Sequence, residues 1–422
     1  MRAPGASFSR CLANDLSMLL TVSKRLEFSA SRRLSLPSWS DAQNVAAFGL
    51  ESGAHYGTGR NYVAYFVFSG EINPDNGMLV NISEIKARVE EVLHAGFDHK
   101  FLNEDHPIFR DLPPTAENVA RQLFVEVAPL FGDLKARLAV CHLVETPERS
   151  ATFYAGGLCE ANYWLEFSAA RQTMSPHLSA VENETLFGVA SSPYGHGHHY
   201  RARFTFRGNA GMRAGPLVPE TELALCLASL HAELDHKNLN HQVPGLTKRP
   251  KTSESLAQYL HERVAAVLPI HRVRLHERDD FFAEYWDDGG FFLGMQRPFN
   301  AAHRLHAASL SQAENLSLYG KCNNPRGHGH RYLTEATIGG PYEERSGTLY
   351  SFTTLLDGIE GALRPWQDKH LDLETEEFRT TPSTGENIVR VLWPKFSARL
   401  DDRLTRLHLW ETPNNRFTLR SR

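Results

Sequence analysis

Two histidines two residues apart, His328 and His330, stand inside the run Gly320-Lys321-Cys322-Asn323-Asn324-Pro325-Arg326-Gly327-His328-Gly329-His330-Arg331-Tyr332. On a β-strand this spacing puts both imidazoles on one face, because side chains alternate with period 2. The alternating run Phe299-Asn300-Ala301-Ala302-His303-Arg304-Leu305 reads as a neighbouring strand that brings a third imidazole, His303. Three histidines with a fourth position left open are the ligand set of a catalytic rather than a structural zinc. Cys322, six residues before His328, adds a thiol within reach.

These stretches, with the late Trp410-Glu411-Thr412-Pro413-Asn414-Asn415, resemble the 6-pyruvoyl-tetrahydropterin synthase family. That family carries F-x-A-x-H-R-L, C-N-N-P-x-G-H-G-H-x-Y and a late E-T in the same order. The resemblance covers nearly the whole chain, because the pattern occurs three times. Glu27-Phe28-Ser29-Ala30 returns as Glu166-Phe167-Ser168-Ala169 and as Pro298-Phe299-Asn300-Ala301. Phe97-Asp98-His99-Lys100 returns as Leu234-Asp235-His236-Lys237, and Thr115-Ala116-Glu117 as Thr252-Ser253-Glu254 and Thr384-Gly385-Glu386. Glu145, Glu277 and Glu411 close the three units. Markers recurring in one order at a fixed period identify tandem repeats. We place them at 18–157, 158–288 and 289–422, after a disordered leader at 1–17 or a start codon assigned too early.

Each repeat reads as strand, strand, helix, helix, strand, strand. Tyr62 to Phe68 and Tyr200 to Phe206 are aromatic and β-branched, as strands are. Ile82 to Leu93 has apolar residues at helical spacing, with Ser83 as its cap. The Thr-x-Glu segments open the second helix, where a threonine cap and a carboxylate suit the N-terminus. The third strand of repeat 1 runs from about Ala136 to Glu145. A lone four-stranded unit leaves sheet edges that must be paired or covered. The resemblance implies the solution: an α+β tunnelling fold (T-fold), three ββααββ units closing one twelve-stranded antiparallel barrel with helices outside. One chain then imitates a trimer, and a homodimer of such pseudo-trimers would imitate the family's hexamer.

The repeats differ where the chemistry lies. The first ligand position holds Arg32, Arg171 and His303, and the paired positions hold Thr58 and Arg60, His196 and His198, then His328 and His330. Counting six residues back from the first paired position puts Ser52, Ala190 and Cys322 in line. Arginine keeps its proton and its charge, so it cannot bind a dication. Repeat 1 is expected to be metal-free and repeat 2 to hold metal weakly at most. Arg32 and Arg171 are expected to fill the vacated space and pair with carboxylates. Asp98-His99 and Asp235-His236 are intact, whereas repeat 3 has Gln367-Asp368, with His370 two residues on.

The resemblance implies a carbon–oxygen lyase of tetrahydrobiopterin biosynthesis that takes 7,8-dihydroneopterin triphosphate and eliminates triphosphate. It implies zinc on His303, His328 and His330, and Cys322 as general base with its pKa lowered by metal and histidine. Asp98 with His99, or Asp235 with His236, would relay protons from a neighbouring repeat. One of Glu411, Glu277 and Glu145 would hold the pterin's amino and ring N–H groups. One working site per chain follows. Two other readings stand beside it: the related 6-carboxy-tetrahydropterin synthase of queuosine biosynthesis, and a non-catalytic pterin-binding protein. The five residues between Cys322 and His328 favour the pyruvoyl-forming branch.

The bulk composition fits a soluble globular protein. In 422 residues the hydrophobic fraction is 41% and the charged fraction 22%, with a net charge of −4. That balance excludes a dedicated nucleic-acid surface, and no apolar run reaches the length of a membrane span. The 5 cysteines are scattered without a Cys-x-x-Cys pair, which points to a reducing, cytoplasmic location.

Overall fold

The structure, a computed structural model, describes residues 18–209 and 215–421; the expected leader lies outside the described residues. Repeat 1 contributes β1 (Met18–Arg32), α1 (Asp41–Phe48), β2 (Thr58–Ser69), α2 (Ile82–Gly96), α3 (Ala116–Val127), β3 (Arg137–Thr146) and β4 (Arg149–Tyr154). Repeat 2 contributes β5 (Leu158–Arg171), α4 (Ala180–Phe187), β6 (His196–Asn209), α5 (Glu220–Leu234), α6 (Ser253–Ala265), β7 (Ile270–Arg278) and β8 (Phe281–Trp286). Repeat 3 contributes β9 (Phe291–His303), α7 (Gln312–Tyr319), β10 (His328–Gly339), α8 (Phe352–Leu363), α9 (Gly385–Ser397), β11 (Leu404–Thr412) and β12 (Asn415–Ser421).

Each strand pairs antiparallel with the next, and β12 returns to β1 through Met18↔Ser421 to Lys24↔Asn415. The twelve strands therefore close into a barrel with the helices outside. Closure leaves no long edge unpaired, which is what a four-stranded unit alone could not achieve. Three seams join the repeats, each beginning at one residue pair: Arg149↔Tyr163, Phe281↔Met295 and Asn415↔Lys24.

The core lies between the sheet's outer face and the helices. In repeat 1 Leu26, Phe28 and Ala30 of β1 meet Ile85, Val89 and Leu93 of α2 and Val119, Leu123 and Val127 of α3, all buried. The alternate residues face the lumen, where Glu160 is bound by Arg207 and Arg272. This alternation follows from the strand period.

Two sequence expectations need correction. Asn81, not Ser83, caps α2, because the Asn81 side chain accepts the Ser83 N–H. Between the first two strands each repeat also inserts a short helix, α1, α4 or α7, that periodicity did not reveal. Capping boxes start all three, Ser40 with Gln43, Ser179 with Glu182 and Ser311 with Glu314. Gly49, Gly188 and Gly320 end them at φ of 65°, 54° and 53°, the left-handed region where glycine carries no Cβ penalty. The threonine caps are as read: Thr115, Thr252 and Thr384 accept from the third helical N–H.

Candidate metal centre and active site

Strand register assembles the histidines. His303 ends β9 directly opposite His328, which opens β10, and His330 follows on the same face. The three imidazoles offer ligand nitrogens all within 4.8 Å of one another. The Nδ1–H of His303 donates to the Ser383 carbonyl at 2.9 Å, so its Nε2 lone pair points to the cluster. That Nε2 lies 3.2 Å from Nε2 of His328. Two nitrogens on one tetrahedral zinc, at about 2.0–2.1 Å each, stand roughly 3.3 Å apart. Burial pushes the pKa of His303 down to about 4, which keeps the ring neutral as ligation requires. Nε2 of His330 and Nδ1 of His328 are buried without a hydrogen-bond partner. An unpartnered buried polar atom is costly, and a cation in the cluster would supply the partner that Nε2 of His330 lacks. The residues fit zinc.

Glu411 completes the immediate surroundings, its Oε1 at 3.6 Å from Nε2 of His303 and 3.8 Å from that of His330. Behind the cluster, Asp372 accepts from the Arg304 N–H at 2.7 Å and from the Ser383 hydroxyl at 2.8 Å, holding the carbonyl that orients His303. Sequence reading passed over Asp372 and Ser383. The position next to the Thr-x-Glu motif was the available signal for Ser383.

Cys322 sits in a tight turn over Gly320–Asn323, and its carbonyl accepts the Leu305 N–H at 3.0 Å. Burial and then the Glu411 carboxylate push its thiol pKa up, with Lys321 opposing. The protein's own groups therefore do the reverse of the expected lowering.

In repeat 1 the cysteine position is Glu51, not Ser52. The turn there spans Gly49–Gly53 against Gly320–Asn323 in repeat 3, so counting back from Thr58 is one residue off. Hydrogen bonds fix the alignment: Arg33, Gln172 and Arg304 donate to the carbonyls of Ser52, Ser191 and Asn323. Arg32 then pairs with Glu145 and, at 2.6 Å, with Glu51, which also binds Arg60. Two guanidinium groups and two carboxylates fill this ligand position. In repeat 2 Arg171 pairs with Glu277, which also accepts from Ser253 and lies 3.0 Å from His198. His196, His198 and Glu277 group closely enough for a metal, but the Arg171 guanidinium holds the carboxylate. Each late glutamate thus turns toward its own repeat's ligand position.

The two Asp-His pairs share one geometry. His99 and His236 adopt φ of 56°, and their N–H groups donate to the carbonyls of Ser29 and Ser168 at 2.6 Å. The Asp98 and Asp235 side chains accept from the same serines' N–H groups, at 2.9 and 2.8 Å. The aspartates lie 3.0 and 2.6 Å from Nδ1 of His99 and His236. The Ser168 N–H and the His236 ring hold the Asp235 carboxyl below its usual range. Both imidazoles are largely exposed, and no hydrogen bond or ion pair among the described residues joins either pair to the His303 cluster. In repeat 3 Asp368 occupies the left-handed position, φ 60°, and donates its N–H to Asn300. Gln367 accepts from the Asn300 N–H in the aspartate's place, so no register shift rescues the pair. His370 instead sits over Gly327, where any Cβ would come within 2.5 Å of its Nε2.

The sequence model described as 6-pyruvoyl tetrahydropterin synthase matches the chain three times, over residues 21–156, 164–288 and 293–422. The chain belongs to this family. A curated relative, the 6-pyruvoyl tetrahydrobiopterin synthase of Drosophila melanogaster, is 41% identical over 132 residues, 31% of this chain and 79% of its own length. The Homo sapiens protein of the same name is 37% identical over 119 residues, 28% of this chain and 82% of its own. The solved 6-pyruvoyl tetrahydropterin synthase of Caenorhabditis elegans is 36% identical, with a TM-score of 0.30, over 31% of this chain and 96% of its own.

Proposed function

We propose that the chain is a zinc-dependent lyase of the 6-pyruvoyl tetrahydropterin synthase type, acting on 7,8-dihydroneopterin triphosphate at one composite site per chain. The observation that carries this reading is the single complete histidine set, His303, His328 and His330, beside Cys322 and Glu411. Bound there, zinc would supply Lewis acidity to the two side-chain hydroxyls of the substrate. Glu411 accepts the paired N–H donors of the pterin edge and orients the ring. Cys322, as thiolate, removes the proton from the carbon next to the ring. An Asp-oriented histidine then carries protons between carbon, ring and oxygen while triphosphate leaves with its bonding electrons. The oxidation and reduction are internal to the substrate, so no redox cofactor is needed.

The barrel order favours Asp98-His99 over Asp235-His236 for that relay. β12 pairs with β1, so the wall beside Glu411 is repeat 1, whereas Asp235 and His236 attach to β5 at the repeat 1–repeat 2 seam. Triphosphate release tests the whole reading. Activity should fall at least about 100-fold in Cys322→Ala and in His99→Ala and stay within twofold in His236→Ala. Pterin binding without triphosphate release by the wild type would replace it with a binding protein.

A second copy of the chain is the partner we propose for the barrel end that carries Leu50, Tyr56, Val189 and Tyr194. These side chains are 93%, 95%, 96% and 97% exposed at matching loops of repeats 1 and 2. Large apolar groups that exposed fit an interface better than open solvent. A cytoplasmic location agrees with Cys141, Cys226 and Cys322 being free thiols. Among the described residues no helix is long and apolar enough to cross a membrane.

A further inference from the structure

The three seams are equivalent by register yet filled differently. At the first, Arg149 faces Tyr163, and both reach Glu220 at the start of α5. A cleft of about 390 Å³ remains there, lined by Arg32, Glu51, Arg60 and Glu145, all engaged in the ion pairs that occupy the ligand position. At the second, Phe281 faces Met295 and stacks edge-on against Phe352 at the start of α8. Ion pairs line one seam and aromatic rings the other. At the third seam these positions hold Asn415 and Lys24, with Ile82 at the start of α2. Neither plug is present beside the intact histidines.

Lys24 belongs to repeat 1 and yet connects to the site of repeat 3. Its Nζ donates to Oδ1 of Asn415 at 3.0 Å, and Nδ2 of Asn415 donates to Oε2 of Glu411 at 3.5 Å. The other carboxylate oxygen of Glu411 lies 3.6 Å from His303. Ammonium, amide and carboxylate thus form one row ending at the metal ligands. Lys86 and Glu90 on α2 are the other charged groups near Lys24. The amide edge of a pterin presents an acceptor, its 4-carbonyl, directly beside its two donors, the ring N–H and the 2-amino group. A carboxylate flanked by cationic and amide donors matches that edge, and a carboxylate alone reads only two of its three groups.

We propose that Lys24, supplied by repeat 1, is a specificity residue of the repeat 3 site, donating to the ring carbonyl of the heterocycle whose N–H groups Glu411 accepts. This rests on the function proposed above, and it deepens that reading by naming the substrate edge and the repeat that recognises it.

The test uses phosphate-free probes on the purified full-length chain, namely neopterin and the matching 2,4-diaminopteridine, in which an amino donor replaces the 4-carbonyl and the adjacent ring nitrogen loses its hydrogen. Equilibrium binding is followed by pteridine fluorescence, with zinc content as the folding control. Lys24→Met introduces the residue the second seam carries. It should weaken neopterin binding about 10- to 100-fold, the size of one charge-assisted hydrogen bond, and leave the diamino compound unaffected. Lys24→Arg should restore most of the preference. Any change at Glu411 is common to wild type and variant, so their comparison isolates Lys24. An equal loss for both probes, no loss, or a loss seen only with neopterin triphosphate would overturn the proposal. Wild-type protein that binds neither pteridine would instead overturn the proposed function itself.

Discussion

At the scale of single residues, three positions that could each hold a metal have diverged into two ion-pair clusters and one imidazole cluster. Arg32 is nearly fully buried, as is Glu145. Removing one partner of such a pair strands the other's charge away from water, which costs about 3–5 kcal/mol. Arg32→Met should lower stability by that amount in chemical denaturation while metal content stays unchanged; an unchanged stability would mean the pair contributes nothing. The histidine set was legible from spacing, since a period-2 pattern next to an alternating run has few other geometries. The pairing of Arg32 and Arg171 with carboxylates was legible from charge alone. The Glu51 substitution was not, because a one-residue longer turn shifts the count without changing any motif. The tautomer of His303 rests on the Ser383 carbonyl, and a backbone group leaves no mark in sequence.

At the scale of elements, the Thr-x-Glu segments do more than start helices. Glu117, Glu254 and Glu386 accept backbone N–H groups of the following repeat, from Leu217 at 3.3 Å, Leu349 at 3.0 Å and Leu79 at 2.9 Å. Each second helix is therefore bolted to its neighbour through a carboxylate, a long-range contact that no local pattern encodes. Burial pushes the pKa of Glu254 up to about 7 from an ordinary 4.5. The folded state then holds this proton more tightly than the unfolded chain, so stability falls as pH rises from 4.5 through 7. Glu254→Gln keeps an acceptor for Leu349 and removes the titration. At pH 8 it should be more stable than wild type by up to about 3 kcal/mol, and at pH 4 the two should coincide. Denaturation at both values checks this; a gap independent of pH would contradict it. The strand order was legible because three copies of one motif set the period, and the helices α2 and α3 because their apolar residues recur every turn. The short α1, α4 and α7 carried a capping-box signal, but eight residues are too few for periodicity to reveal.

At the scale of the whole molecule, joining three units in one chain frees each copy from being a complete enzyme. A symmetric trimer must keep every ligand in every subunit; this chain keeps the three histidines in repeat 3 and an Asp-His pair in each of repeats 1 and 2, of which repeat 1 closes the ring onto repeat 3. Barrel closure is what favours repeat 1 in the function proposed above, and closure is a property of the complete sheet rather than of any segment. Hence the sequence left Asp98-His99 and Asp235-His236 undecided. Two chains associating through the end that carries Tyr56 and Tyr194 should run at twice the chain mass in light scattering, and Tyr56→Asp with Tyr194→Asp should give a monomer that still binds zinc. A wild-type monomer would remove that interface.

The most direct test of a single site is zinc bound per purified chain, measured for wild type and for His330→Ala. One zinc in the wild type and none in the variant is the expected result. Three per chain, or one that survives loss of His330, would place the metal elsewhere and contradict the assignment to repeat 3.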